Sequence, residues 1–379
     1  MHRPATSRRN GHHVKFNTFG RAAAVTALAA LALSGCAANE GGTAGGGSSE
    51  SASDLTGTLV GAGASSQQSA QEAWTTAFQT ANPDVTVEYD PAGSGAGRDT
   101  FIAGGSAFAG SDRAFNDEEV AAGEFGSCVA DTGIVEIPAY ISPIAVIFNL
   151  DGIDSLNLDA PTIAGIFNGS ITTWNDDAIA SQNPDADLPD TAITPVHRQD
   201  DSGTTENFTE YLGAAAPDVW TDEADGVWPL DGGEAASQTS GMIDAVSGGT
   251  GTIGYADASR AGDLGTVAVK VGDEYVPYSA EAAAAIVDAS PVVEGRGEGD
   301  LALEIDRTTE EAGVYPVVLV SYLIGCEEYQ DAASAELVKA YFSYIVSDEG
   351  QQTAADAAGS APISADLFDK ASAAIELIK

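Results

Sequence analysis

The segment Arg198-Gln199-Asp200-Asp201-Ser202-Gly203-Thr204-Thr205 brings together one fixed cation, the hydroxyls of Ser202 and Thr204 and a glycine within a few residues. An apolar run with strand character, Ala192-Ile193-Thr194-Pro195-Val196, precedes it. A run with helical spacing follows, with Phe208, Tyr211 and Leu212 on one face. Ser202 or Thr204 suits the N-cap, and Gly203 allows close approach of the backbone to a ligand. Free N–H groups, hydroxyls and the positive end of a helix dipole then converge on one point, which is the chemistry of an anion cradle. Taken alone, Ser-Gly-Thr before a helix is more often a capped turn. Two further segments strengthen the reading: Ala64-Ser65-Ser66 and Gly93-Ser94-Gly95 each place hydroxyls and backbone N–H groups at a predicted helix start. None is followed by Gly-Lys-Ser/Thr, so none is a nucleotide-hydrolysing P-loop.

Asp112, in Phe108-Ala109-Gly110-Ser111-Asp112, is the informative oddity. A carboxylate repels a dianion unless the ligand carries a proton to donate. Monohydrogen and dihydrogen phosphate carry one; sulfate at neutral pH does not. A site built on such an obligatory hydrogen bond can discriminate by roughly 10⁴–10⁵. The competing reading makes Asp112 a turn cap. Arg198 is the expected bidentate cation, Asp200 the residue that orients its guanidinium, and Asp201 a solvated carboxylate. His197, Asp200 and Ser202 suggest a hydrolase triad, but they lie within six residues, whereas triads draw their members from separate elements.

The elements that must position these residues alternate. Leu59-Val60 leads into Gly61-Ala62-Gly63-Ala64, then a helix with Ala70, Trp74, Ala77 and Phe78 on one side. A strand over Val85 to Tyr89 leads into Gly93-Ser94-Gly95-Ala96-Gly97 and a short helix through Phe101 and Ile102. Successive strand–glycine turn–helix units predict an α/β fold with parallel strands and a ligand site at the strands' carboxyl ends. Ile134 to Pro138 and Ile144 to Phe148 read as two buried strands, with the joint between them crossing into a second domain. Tyr315 to Tyr322 reads as the returning crossover, and an amphipathic helix bearing Leu337, Ala340, Tyr341 and Ile345 closes the chain.

Charge narrows the partners. The chain has 15 Lys and Arg against 57 Asp and Glu, a formal charge of −42. Without residues 1–35 there remain ten basic and 57 acidic residues, a formal charge of −47. Nucleic acid is excluded, because phosphate neutralisation needs basic patches. An anion site in such a molecule must work through local dipoles and hydrogen bonds, with salt screening the wider field over ~8 Å.

The N-terminus reads as an address. Arg3, Arg8, Arg9, Lys15 and Arg21 precede an apolar stretch from Ala22 to Leu33 that is short for a membrane span, and Leu33-Ser34-Gly35-Cys36 resembles a bacterial lipoprotein box. The expectation is a signal peptide over 1–35, lipidation of Cys36 and a flexible tether over 36–54 rich in Gly, Ser, Ala and Thr. Cys128 and Cys326 then remain; in an exported protein they are expected to pair. His197 is the only histidine beyond the signal, which rules out a histidine metal cluster. No cofactor is expected.

The order of Gly61-Ala62-Gly63-Ala64-Ser65, Gly93-Ser94-Gly95-Ala96-Gly97, Phe108-Ala109-Gly110-Ser111-Asp112, Ile166-Phe167-Asn168-Gly169-Ser170-Ile171-Thr172-Thr173-Trp174-Asn175-Asp176, Arg198 to Thr204 and Gly254-Tyr255 resembles the phosphate-binding protein of bacterial phosphate-specific ABC importers. The resemblance runs from about Leu55 to the end. It implies a two-lobed periplasmic-binding-protein-like fold, with one lobe built from 55–139 and 316–379, the other from 140–315, and two crossover strands as hinge. It further implies phosphate contacts by Ser65, Ser66, Ser94, Asp112, Arg198, Ser202, Gly203 and Thr204, with Asp200 in support. The implied partners are inorganic phosphate, the importer's membrane permease subunits and, through Cys36, the membrane; the protein would act as a monomer. Two positions depart from the family. Ser65-Ser66 stands where Thr-Phe is common, and Asp201 where glycine is usual, both in the direction of weaker binding. The runner-up functions are binding of another tetrahedral oxyanion, sulfate or molybdate, and a secreted phosphatase.

Overall fold

The computed structural model describes residues 55–379; the expectations for Cys36, the signal and the tether fall outside them. In chain order the elements are β1 (Gly57–Gly63), α1 (Gln68–Ala81), β2 (Val85–Asp90), α2 (Ser94–Ile102), β3 (Phe108–Ser111), α3 (Asp117–Ala122), β4 (Ile134–Phe148), β5 (Ser155–Leu158), α4 (Ala160–Phe167) and α5 (Asp177–Ala180). There follow β6 (Thr194–Arg198), α6 (Gly203–Ala215), β7 (Glu234–Ala236), α7 (Gln238–Gly248), β8 (Thr252–Asp257), β9 (Gly265–Val271), β10 (Glu274–Val276) and α8 (Ala280–Asp288). The chain ends with β11 (Val318–Cys326), α9 (Ala332–Val346), α10 (Asp348–Ala358) and α11 (Ala365–Glu376).

The strands run in the order β2-β1-β3-β11-β4-β8-β6-β7, with β9 pairing β4, β5 and β10. β1, β2 and β3 are parallel, as the strand–turn–helix reading requires. β4 joins the two halves. Its residues from Ile134 to Pro143 pair with β11, and those from Ile144 to Phe148 pair with β8. The expected pair of strands with a joint is therefore one strand of 15 residues, all of them buried. Proline inside a central strand normally argues against continuity, because it removes a ladder donor. Here the register shifts opposite Ser321 and Tyr322, so that Pro138 faces Tyr322 and Tyr140 faces Ser321. The irregularity absorbs Ala139 without ending the strand. β11 is the expected return; it starts three residues later than the Tyr315 read from sequence.

Each half has its own aromatic packing. In the first, Phe78 and Phe108 lie against Tyr341 of α9 at centroid distances of 5.1 and 5.8 Å. In the second, Phe208 of α6 stacks on Tyr255 of β8 at 4.3 Å and meets Phe167 of α4 edge-on at 4.9 Å. Phe208, Tyr211 and Leu212 are all buried, as their spacing predicts. The chain does not close with α9, however. α10, capped by Ser347, packs on α1, and α11 packs on α9. The Cys128–Cys326 disulfide forms, with the Cα atoms 5.3 Å apart, and ties the end of β11 to the loop before β4. Its sequence separation of 198 residues places it where loop-closure entropy contributes most, about 5 kcal/mol in the chain-entropy model.

A fully buried carboxyl sits where the sheet changes halves. Asp257, the last residue of β8 and the partner of Ile144, accepts hydrogen bonds from the Tyr140 hydroxyl at 3.0 and 3.1 Å and from the Ser259 N–H at 2.9 Å. Burial pushes its pKa up to about 6, and hydrogen bonds from Ser259, Ser142 and Tyr140 oppose that only in part. A carboxyl raised above its unfolded value of 3.8 contributes stability that is fully present below that value and lost as pH rises through about 6. Asp257→Asn is expected to unfold in denaturant with about 2–3 kcal/mol more stability than wild type at pH 7.5, and with equal stability at pH 3.5. Equal stability of the two proteins at pH 7.5 would show that the buried carboxyl carries no such penalty.

Candidate functional site

β1 ends in a turn that leaves Ser65 and Ser66 ahead of α1. That helix is capped by Gln67 without a side-chain bond, so neither serine hydroxyl is used as a cap. The Ser65 Oγ instead meets the second half of the molecule. It accepts from Arg198 Nη2 at 3.3 Å and from the Thr239 N–H at 3.1 Å, and lies 3.0 Å from Thr239 Oγ1. The Ser66 Oγ donates to Asp112 Oδ1 at 2.6 Å.

Asp112 follows β3 directly and is 3% exposed. Its carboxylate accepts from three hydroxyls: Ser66 and Ser321 on Oδ1, each at 2.6 Å, and Thr204 on Oδ2 at 2.8 Å. Its N–H donates to Ser94 Oγ at 3.1 Å, and its carbonyl accepts from Asn207 Nδ2 at 2.6 Å. Asp112 is therefore no mere turn cap, since both halves and the returning strand meet on it. Gly203 explains how α6 comes so near. A Cβ there would stand 2.7 Å from Asp112 Cβ and 3.0 Å from Ser94 Oγ, so no side chain fits.

Arg198 closes β6 and is equally buried. Asp200 takes its Nε at 2.9 Å and also its Nη2, the orienting role read from the two-residue spacing; the bidentate edge expected to face the ligand is thus spent on Asp200. Nη1 has no protein acceptor among the described residues. Asp200 in turn accepts from the Gln238 N–H at 2.9 Å, which fixes it to the start of α7. Burial raises the Asp200 pKa, but the hydrogen bonds and charge of Arg198 and the Gln238 N–H outweigh it and hold the carboxyl below the usual range. Tyr255 sets the backbone here. Its hydroxyl accepts from the Arg198 N–H at 3.3 Å and lies 2.8 Å from Thr205 Oγ1, while its ring stacks on Phe208. Ser202, rather than Thr204, is the N-cap of α6 and accepts from the Thr205 N–H, which leaves Thr204 for Asp112.

The structure thus brings Ser65, Ser66, Ser94, Asp112, Arg198, Ser202, Gly203 and Thr204 into one buried cluster, with Asp200 beside Arg198. Its chemistry is one cation, one carboxylate, several hydroxyls and the starts of α1, α2, α6 and α7, a set suited to a small oxyanion that both accepts and donates. The hydrolase triad does not assemble. The His197 ring stacks on Trp228 at 5.1 Å with its Nδ1 2.9 Å from the Arg198 carbonyl, and the Ser202 hydroxyl is engaged as a cap. Sequence reasoning missed Ser321, Asn207, Thr239 and Gln67. Gln67 Nε2 donates to Ser321 Oγ at 2.6 Å, so the serine is free to donate onward to Asp112. A serine within the otherwise apolar run Val317 to Ile324 was the available signal; Thr239 offered none. Asp201, read as solvated, is half-exposed but lies 3.8 Å from Arg98.

Residues 48–349 match the model of the PBP superfamily domain. Phosphate-binding protein PstS 3 of Mycobacterium tuberculosis (strain ATCC 25618 / H37Rv) is 35% identical over 376 residues, covering 96% of this chain and all of that protein. The chain belongs to the PBP superfamily, in the family of that relative. Phosphate-binding protein PstS of Xylella fastidiosa (strain Temecula1 / ATCC 700964) is 30% identical and covers 78% of this chain and 79% of its own. The fold is also that of a high-affinity periplasmic phosphate-binding protein solved with phosphate bound: TM-score 0.67, 21% identity, 84% of this chain and 93% of that one. These likenesses show the mixed α/β fold of the PBP superfamily, with which two lobes are consistent.

The Arg198–Asp200 pair yields a pH-dependent expectation. A carboxyl held below its ordinary value contributes stability that is present above the unfolded value of 3.8 and lost as pH falls through the lower folded one. Asp200→Asn should therefore unfold with about 1 kcal/mol less stability at pH 7, allowing for partial exposure, and the difference should shrink as pH falls below 3.8. A deficit that stayed constant across that range in chemical denaturation would show that the carboxylate's charge is not what stabilises.

Proposed function

We propose that this protein binds inorganic phosphate outside the cytoplasm and delivers it to the membrane subunits of an ABC importer. The observation that carries the reading is the joining of Asp112 to hydroxyls from both halves, with Arg198 and four helix starts around the same cluster. The relatives named above as phosphate-binding proteins support the ligand, and 35% identity over nearly the whole chain supports a common mode of action. Ser65, Ser66, Ser94, Asp112, Arg198, Ser202, Gly203 and Thr204 hold the ligand, and Asp200 holds Arg198. The lobes are 55–139 with 316–379, and 140–315, and they close about β4 and the start of β11. Cys36 carries the lipid that keeps the monomeric protein at the outer face of the membrane, and no residue acts as a catalyst.

Phosphate is favoured over sulfate or molybdate by the balance of donors and acceptors. Asp112 offers a lone pair that only a protonated oxyanion can use, and a fully ionised one meets carboxylate repulsion there. Closure around the ligand strengthens each charge-assisted bond, worth ~1.5–3 kcal/mol. Titration calorimetry of wild type and Asp112→Asn with phosphate and with sulfate tests this. Wild type should prefer phosphate by at least about a thousandfold. The variant should lose about 10–100-fold in phosphate affinity and narrow the gap to sulfate. Unchanged selectivity in the variant would contradict the assignment of Asp112.

A further inference from the structure

Four ion-paired residues near the mouth of the site belong to no ligand contact assigned above. Arg98 lies in α2 and Arg113 just after β3, both in the first half; Asp201 and Glu206 flank the Ser202-Gly203-Thr204 start of α6 in the second. Arg113 Nε lies 2.8 Å from Glu206 Oε2, while its Nη1 and Nη2 hold Glu119 of α3 at 2.6 and 3.0 Å. Arg98 is buried, donates from Nη1 to Ser111 Oγ at 3.0 Å and from Nε to Glu119 at 3.3 Å, and approaches Asp201 at 3.8 Å. The same segment also joins the halves through its backbone. The Gly95 N–H donates to the Asp201 carbonyl at 3.3 Å, and a Cβ at Gly95 would stand 2.3 Å from Asp201 Cγ.

These contacts do not reach the proposed ligand position, yet they draw the α6 start toward Asp112. We propose that Arg113–Glu206, supported by Arg98–Asp201, is an ionic latch across the cleft that slows release of the bound anion. The inference rests on the reading that the Asp112–Thr204 cluster clamps phosphate. Glu119 acts as the backing charge. It orders both arginines from their own side of the cleft, so that each presents its remaining donors to the other half. The capping box of α3, in which Asn116 and Glu119 bond reciprocally, fixes Glu119 in place. The pKa values of Arg113 and Glu206 are both raised, which favours the charged guanidinium but disfavours the charged carboxyl. Glu119 and Glu206 outweigh burial and raise the guanidinium's pKa, whereas burial outweighs Arg113 and Arg98 and raises the Glu206 carboxyl, with Asp201 and Asp225 adding to the rise. The 2.8 Å separation of Nε and Oε2 decides for an ion pair. Asp201, a departure from the family's glycine and an apparent handicap to anion binding, acquires a use: its charge faces Arg98 instead of the ligand alone.

The latch and the molecule's surplus negative charge act on different rates. The acidic surface slows approach of an anion, whereas the latch acts only once the halves are together. The test loads wild type, Glu206→Gln, Arg113→Gln, the double variant and Asp201→Asn with radiolabelled phosphate and follows loss of label after a chase of unlabelled phosphate. Melting curves confirm that each variant is folded. Release should be about 5–20-fold faster in Glu206→Gln and two- to three-fold faster in Asp201→Asn, with association changed less than threefold. The double variant should be little faster than either single one, as expected of partners in a single interaction. Release within twofold of wild type in both Glu206→Gln and Asp201→Asn would overturn the latch alone. A wild type that retains no label would overturn the phosphate reading and the latch with it.

Discussion

The structure depends on a buried carboxylate that no cation among the described residues touches. Asp112 meets its desolvation with hydroxyls, one from the β1–α1 turn, one from α6 and one from β11. Burying a charge is tolerated only when donors replace the lost water, so these three elements cannot drift apart without leaving Asp112 unsatisfied. That constraint explains several otherwise separate features: the glycine at 203, the serine in the middle of an apolar strand, and the amide of Gln67 that holds Ser321 in the donating orientation. In the proposed function it also gives a chemical reason for choosing a protonated oxyanion, because a carboxylate that would repel a fully ionised ligand lies at the crossing of both halves.

Electrostatics are arranged on two scales. Across the molecule, 57 acidic residues outnumber the basic ones, and the surface repels anions at long range. Locally, the arginines are concentrated where the halves meet. Arg98, Arg198 and Arg307 are almost wholly buried, and Arg307 bridges Glu210 and Asn207 of α6 to the carbonyls of Pro316 and Val318. Because Asn207 also donates to the Asp112 carbonyl, this arginine connects the returning chain to the cluster. Fixed dipoles at short range, in a water-poor setting, act more strongly than a screened surface charge about a Debye length away.

Much of this was legible because the informative features are local. Gly-Ser runs between a strand and a helix announce themselves, so the starts of α2 and α6, and the serines before α1, could be read directly, as could the two-residue spacing of Arg198 and Asp200. The disulfide followed from two cysteines and a chain that returns to where it began. What was not legible depends on tertiary partners. Pro138 and Pro143 hid the continuity of β4, because what sustains the strand past them is its pairing with β11, with Ala139 taken up beside Pro138 where the register shifts opposite Ser321 and Tyr322. α10 and α11 are alanine-rich, with few large apolar residues to mark a period, and their caps, Ser347 and Ser364, resemble ordinary surface serines. Thr239 faces Ser65 only because α7 happens to begin there. The ionic contacts of Asp201 and Glu206 were equally hidden, since a carboxylate in an acidic sequence carries no sign of which one faces an arginine.

A crystal structure of the protein grown with phosphate tests the central claim most directly. The account predicts the anion between the halves, with an oxygen about 2.5–2.7 Å from an Asp112 carboxylate oxygen and others on Arg198 Nη1 and the Ser202–Thr204 backbone. A phosphate bound elsewhere, or one held in the cleft with Asp112 beyond hydrogen-bond distance, would contradict it.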